Sequence, residues 1–154
     1  MTEGRDTPPF LEQHYKHIEQ CVELQSLLCP LFPQPIANFH QFLRQLTDNS
    51  VSLESVEITS KAITGMIKVR NLAYEKSVTV RFTTDRWKSY SEVQCTYVAP
   101  LYIPGSSSVH DSFTFLIDVD KRWTEVEFCI QYCCQDRELW DNNCGSNYKL
   151  ALKA

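Results

Sequence analysis

Apolar residues recur with two different periods along this chain, and the change falls near residue 51. Before it, Leu11, Tyr15, Ile18 and Val22 follow one another at helical spacing, and Leu24 and Leu28 extend the apolar surface until Pro30 stops it. Thr7-Pro8-Pro9 suits the start of that helix, because proline is tolerated in a first helical turn. The prolines at 30, 33 and 35 favour an extended connector. A shorter helix then sets Ile36, Phe39, Leu43 and Leu46 on one face and ends at Thr47-Asp48-Asn49-Ser50. Short helices are marginal alone in water, so residues 1–50 are expected to form a helical arm that packs on something else.

From Val51 to the end the period is two, and short apolar runs alternate with turn signals. Strands are expected over 51–58, 63–71, 77–83, 93–98, 112–119 and 126–133, with shorter ones over 138–141 and 148–152. Val78, Val80 and Phe82 alternate with Ser77, Thr79 and Arg81; Phe113, Phe115, Ile117 and Val119 alternate with Ser112, Thr114 and Asp118. Each such strand buries one face and wets the other. The sum is a mainly β fold, an antiparallel β-sandwich of about eight strands over residues 51–154 preceded by the arm. Pro104-Gly105-Ser106-Ser107-Ser108 is expected to be a flexible loop.

Composition narrows the function. With 43% hydrophobic and 22% charged residues over 154 positions, the chain is long enough for one domain with a real core. A net charge of -4 offers no long-range attraction to phosphate backbones or anionic lipid, which argues against nucleic-acid and membrane-surface partners. No apolar run approaches the roughly 18 residues of a membrane span, and Met1-Thr2-Glu3-Gly4-Arg5-Asp6 lacks the features of a signal peptide, so an intracellular location is expected. Seven cysteines, odd in number and without a Cys-x-x-Cys pair, read as free thiols in a reducing compartment. Cys129, Cys133, Cys134 and Cys144 match zinc-ligand spacing poorly, so no metal is expected. No Gly-x-Ser-x-Gly, Walker-type or His-Glu-x-x-His pattern occurs, so neither catalytic residues nor a cofactor are assigned.

The stretch Trp140-Asp141-Asn142-Asn143-Cys144-Gly145-Ser146-Asn147-Tyr148 is a poor core sequence, because each buried Asn would need several hydrogen-bond partners. Its residue types suit a sugar, whose apolar C–H face can lie on an indole while amides and a carboxylate take its hydroxyls. They equally suit a polar turn with Trp140 packed on a sheet. Trp87, in Asp85-Arg86-Trp87-Lys88-Ser89-Tyr90, stands in a polar connection between strands, where it is either buried against a partner or a stacking platform.

Several ordered blocks resemble a known family: residues 69–78, Trp87-Lys88-Ser89-Tyr90, Asp111-Ser112-Phe113-Thr114-Phe115, residues 126–132, Trp140-Asp141-Asn142-Asn143 and Asn147-Tyr148. Together they resemble carbohydrate-binding module family 21, and more narrowly the glycogen-targeting regulatory subunits of type-1 protein phosphatase, over about residues 51–152. The resemblance implies an immunoglobulin-like sandwich that binds α-1,4-linked glucans such as glycogen without catalysis, in the cytoplasm. It implies a first site with Trp87 and Trp140 as aromatic platforms and Asp141, Asn142, Asn143 and Asn147 on sugar hydroxyls. A third aromatic of some starch-binding relatives falls at Cys129. A second site would use Tyr74 and Tyr97 with Lys76 nearby. Trp140, Asn142, Asn147 and Tyr148 would also dock partner proteins such as glycogen synthase. The family's docking motif for the phosphatase catalytic subunit, a basic residue followed by Val-x-Phe, is not found; the nearest string is Val80-Arg81-Phe82. The alternative is a protein-interaction sandwich that docks glycogen synthase or another partner without appreciable sugar binding.

Overall fold

In the computed structural model, residues 27–100 and 109–153 are described. The helix expected from Pro9 to Leu28 and the loop at 104–108 therefore lie almost wholly outside the described residues. Among the described residues, ten strands form two antiparallel sheets: β1 (Leu28–Pro30), β2 (Val51–Ile58), β3 (Ala62–Arg70), β4 (Ser77–Thr83), β5 (Ser91–Gln94), β6 (Thr96–Val98), β7 (His110–Asp118), β8 (Glu125–Cys134), β9 (Arg137–Asp141) and β10 (Tyr148–Leu152). One sheet runs β1-β10-β8-β4-β5 with β9 also on β8, and the other runs β2-β3-β7-β6.

The core lies between the sheets and follows the alternation of the sequence. Val78 and Val80 of β4, Phe113, Phe115 and Ile117 of β7, and Val126, Phe128 and Ile130 of β8 are buried. Each such aliphatic or aromatic side chain contributes about 1.5–3 kcal/mol through the area removed from water. Phe128 stacks on Tyr148 at 5.2 Å and meets Phe115 edge-on at 5.7 Å, while Phe32 closes the group edge-on to Tyr148 at 5.0 Å. Gly65 of β3 faces Phe115, and a Cβ there would lie 2.3 Å from the ring, so this position takes only glycine without repacking.

Three elements differ from the sequence reading. Leu28 is in a strand, where it pairs with Leu152 of β10, instead of ending a helix. The expected strand over 93–98 is two strands, because the chain crosses between sheets at the buried Cys95: β5 pairs with β4 and β6 with β7. The helix, α1 (Phe39–Asn49), begins after a single 3-10 turn at Pro35–Ala37 that contains Ile36. It buries Phe42 and Leu46, while Phe39 is 56% exposed and Leu43 also faces solvent. Its start is capped by the Asn38 side chain, which accepts from the Gln41 N–H, and its end by Ser50 in the left-handed region at φ 67°.

Candidate functional site

The site region is built by an interruption in a sheet edge. β9 and β10 lie in succession along the same edge of β8: Asp141 faces Ile130, and Tyr148 faces Phe128. Only Cys129 separates those two positions on β8, yet residues 142–147 separate them on the other strand, so the asparagine-rich segment is expelled as an excursion. Asn143, Cys144, Gly145 and Asn147 take positive φ to make the reversal. β9 itself is set by a two-residue hairpin loop, Gln135-Asp136, with φ of 50° and 59°, between Cys134 and Arg137.

That register decides which side chains face outward. Trp140 pairs with Gln131, on the solvent face of β8, and is half-buried. Asp141 is the next residue on the strand and must point the other way. It is 0% exposed. Its Oδ2 accepts from the Leu53 N–H at 2.7 Å and the Tyr148 hydroxyl at 2.6 Å; its Oδ1 accepts from the Asn143 N–H at 3.0 Å and from the Gln45 side chain. Burial pushes the carboxyl pKa up, and these hydrogen bonds oppose the shift. The expectation that Asp141 reaches sugar hydroxyls is corrected: it ties the excursion to α1 and to the edge of β2. Tyr148 is 1% exposed and held by the same carboxylate, so its role as a partner-docking residue is corrected too.

The asparagines serve mainly to hold the excursion. Asn142 accepts from Gly145 N–H through its side chain at 3.0 Å and from Asn147 N–H through its carbonyl at 2.7 Å. Asn143 Nδ2 donates to the Asn147 carbonyl at 3.0 Å, and Asn147 Nδ2 donates to Glu127 at 2.9 Å. The Asn142 side-chain N–H groups and the side-chain oxygens of Asn143 and Asn147 keep no protein partner among the described residues. Asn142 is exposed and, with Cys144, also borders a groove of about 650 Å3 against Gln41, Arg44 and Gln45 of α1.

Trp87 stands on the β4–β5 turn. Thr83 Oγ1 accepts the Trp87 N–H at 3.0 Å, and Asp85 braces the turn by accepting from the Ser89 N–H and hydroxyl at 2.9 and 2.6 Å. Those Ser89 hydrogen bonds hold the Asp85 pKa at about 2. Arg86 and Trp87 take positive φ, and the half-buried Trp87 indole has an Nε1–H without an acceptor among the described residues. Thr83 faces Glu127 whereas Trp140 faces Gln131, so the two indoles are rooted roughly 13 Å apart along β8. No ring contact joins them.

Trp140 instead neighbours residues that sequence reasoning left out. The Arg81 guanidinium of β4 lies 5.1 Å from the Trp140 ring centroid and 4.5 Å from that of Tyr90. Alternation already set Arg81 on the wet face of β4, which was the available signal; its arrival over Trp140 depends on the strand order β9-β8-β4.

The second group of residues does come together. Tyr74 is 99% exposed, and Tyr97 is 50% exposed and edge-on to Phe113 at 5.7 Å. Both border a groove of about 750 Å3 with Leu72, Lys76 and Asp111. The Lys76 ammonium already pairs with Asp111 at 2.8 Å in a largely dry position, so it forms the groove's floor.

Catalytic chemistry finds little support here. Burial pushes the Cys95 thiol up to about 12 and raises those of Cys129 and Cys133, the reverse of an activated nucleophile. Among the described residues, no group of His, Cys, Asp and Glu stands together to hold a metal ion. No described helix is long and apolar enough to cross a membrane.

Known proteins resemble this chain in sequence and fold. Residues 45–151 match the carbohydrate/starch-binding module of family 21. The chain is 43% identical over 122 residues to protein phosphatase 1 regulatory subunit 3C-B of Danio rerio, covering 77% of this chain and 38% of that protein. It is 38% identical over 122 residues to regulatory subunit 3B of Homo sapiens, covering 77% and 42%. The chain thus spans about two fifths of the length of these curated relatives. Among solved structures it is similar to the carbohydrate-binding module of the muscle glycogen-targeting subunit of protein phosphatase-1, with TM-score 0.66 and 34% identity over 82% of this chain and 92% of that one. It is also similar to the starch-binding domain of Rhizopus oryzae glucoamylase in complex with beta-cyclodextrin and maltoheptaose, with TM-score 0.52 and 27% identity over 70% and 96%.

Proposed function

We infer the function from a premise that the family match supplies: the chain belongs to the carbohydrate/starch-binding modules of family 21. Its relatives are regulatory subunits and binding modules, and the chain is not an enzyme. The module binds glycogen or another α-1,4-glucan on the outer face of the larger sheet. Trp140 is the platform there, Asn142, Asn143 and Asn147 offer the polar fringe, and Trp87 meets the chain farther along. Tyr74 and Tyr97, above the Lys76–Asp111 pair, form a second glucan site. The binding module takes in β1, which pairs with β10, and α1, which packs on β2, together with the strands from Val51 onward.

The observation that carries this reading is the half-buried Trp140 beside an excursion of asparagines that keep unused amide groups. A few stacking contacts and hydrogen bonds exchanged with water give weak single-site binding, about micromolar to millimolar. Two sites on one branched polymer raise effective binding by on the order of 10²–10⁴ when both engage. Such a module localises type-1 protein phosphatase activity on glycogen in the cytoplasm. Val80-Arg81-Phe82 does not provide the phosphatase contact, since Val80 is buried in β4 and paired on both edges.

A second reading is favoured by the groove between α1 and the excursion, which brings Asn142 beside Gln41 and Arg44. It suits a protein partner such as glycogen synthase, contacted by Trp140, Asn142 and Asn147. The test is co-sedimentation with glycogen. Trp140→Ala is expected to leave the pellet while its thermal midpoint stays near that of the native chain; pelleting as before would contradict the glucan site.

A further inference from the structure

Arg81 is set apart from the other surface cations by where it lies. It pairs across the strands with Glu92 of β5 on one side and Cys129 of β8 on the other. Strands are about 4.8 Å apart, so β9 is two strands away and Arg81 must cross β8 to reach Trp140. The small, buried Cys129 beneath it leaves room for that crossing. On the opposite side Tyr90, 56% exposed, leads into β5 and offers its own ring to the same guanidinium. Glu92 fixes the group from its edge: its Oε1 accepts from Nε at 3.0 Å and lies 2.9 Å from Nη2 in the ion pair. A guanidinium carries five N–H donors. The Nη1 and Nη2 N–H groups make no hydrogen bond among the described residues.

We propose that Arg81 and Tyr90 are sugar-contacting residues of the glucan site on this face, so that the site runs from Trp140 on β9 across β8 and β4 to Tyr90 at β5. This rests on the glucan reading of Trp140. The Arg81 fork donates its free N–H groups to neighbouring hydroxyls of one glucose ring, and Glu92 holds it from swinging away. Tyr90 and Trp140 stack rings on either side. Glu92 and Glu127 on the same face offset the Arg81 charge, so the ligand is a neutral glucan. The two ring centroids stand 4.5 and 5.1 Å from the same guanidinium carbon and so no more than about 10 Å apart, a span that a short maltooligosaccharide covers.

Isothermal titration of the full chain with maltoheptaose tests this. Arg81→Met and Arg81→Lys each weaken maltoheptaose binding about tenfold or more, because a charge-assisted donor is lost in one and the planar fork in both. Tyr90→Ala weakens it severalfold. Melting curves of each variant check folding; if Arg81→Met is destabilised, Tyr90→Ala, altered in an exposed turn, decides. Arg81→Met and Tyr90→Ala that bind maltoheptaose within twofold of the native chain overturn the inference. If Trp140→Ala loses binding in that case, the glucan reading stands alone; if Trp140→Ala also binds normally, both fall.

Discussion

Replacing Asp141 with alanine removes the side-chain acceptor of two buried donors, the Leu53 N–H and the Tyr148 hydroxyl, and that of two further partners, the Asn143 N–H and the Gln45 amide. A buried donor left without a partner costs about 1–3 kcal/mol, so the two buried ones together cost roughly 2–6 kcal/mol. That is a large part of the roughly 5–15 kcal/mol that stabilises a domain. Asp141→Asn is milder. Its amide N–H2 can turn toward Gln45, whose own amide can reverse to accept, which leaves mainly the Asn143 N–H unpaired at about 1–3 kcal/mol.

The charge adds a pH signature. The folded carboxyl has its pKa raised above the ordinary value of 3.8, chiefly by burial, so the folded chain holds this proton to higher pH than the unfolded chain. Stability from this group therefore falls as the pH rises from about 3.8 through the folded pKa, and is level above it. Asp141→Asn lacks that slope. Urea unfolding from pH 3.5 to 7 of the native, Asn and Ala chains measures both effects, with glucan titration of whatever folds. The result that would refute the reasoning is Asp141→Ala unfolding within about 1 kcal/mol of the native chain while losing glucan binding, since the carboxylate would then be a ligand contact and not a brace.

Other outcomes follow from single contacts. Lys76→Met leaves Asp111 buried and unpaired and is expected to cost about 3–5 kcal/mol in denaturant unfolding, whereas the double change with Asp111→Leu recovers much of it. Gly65→Ala forces a Cβ against Phe115 and is expected to lower stability by about 1–3 kcal/mol, with relief in Gly65→Ala/Phe115→Leu. Asp85, whose pKa is depressed to about 2 from 3.8, contributes stability that is present above about 3.8 and lost as the pH falls toward 2, so Trp87 fluorescence should shift over that acid window and not in Asp85→Asn.

The sandwich was readable because each strand has one wet and one dry face, and a two-residue period survives any choice of partner strand. Less was readable wherever the partner decides. Phe39, Phe42, Leu43 and Leu46 cover a continuous arc of α1, and only packing beside β2 shows that the Phe42–Leu46 half is the one covered. Leu28 fits a helical spacing equally well, and only the free edge of β10 makes it a strand residue. The site divides in the same way. Trp140 outward and Asp141 inward follow from neighbours on a strand facing opposite ways, so an outward-facing pair was already improbable from the pattern. Tyr74, Lys76 and Tyr97 share a groove, as the family resemblance implied. The Arg81 bridge between Tyr90 and Trp140 was hidden, because it depends on strand order and on the small Cys129 between them.

An amide and indole NMR titration of the intact chain with maltoheptaose tests the central claim most directly. The account expects saturable shifts at the Trp140 indole N–H, the Arg81 Nε–H and the side-chain amides of Asn142 and Asn147, with the buried Leu53 and Tyr132 amides unmoved. Shifts confined to residues away from the outer face of β4, β8 and β9, or no shifts at millimolar sugar, would contradict it.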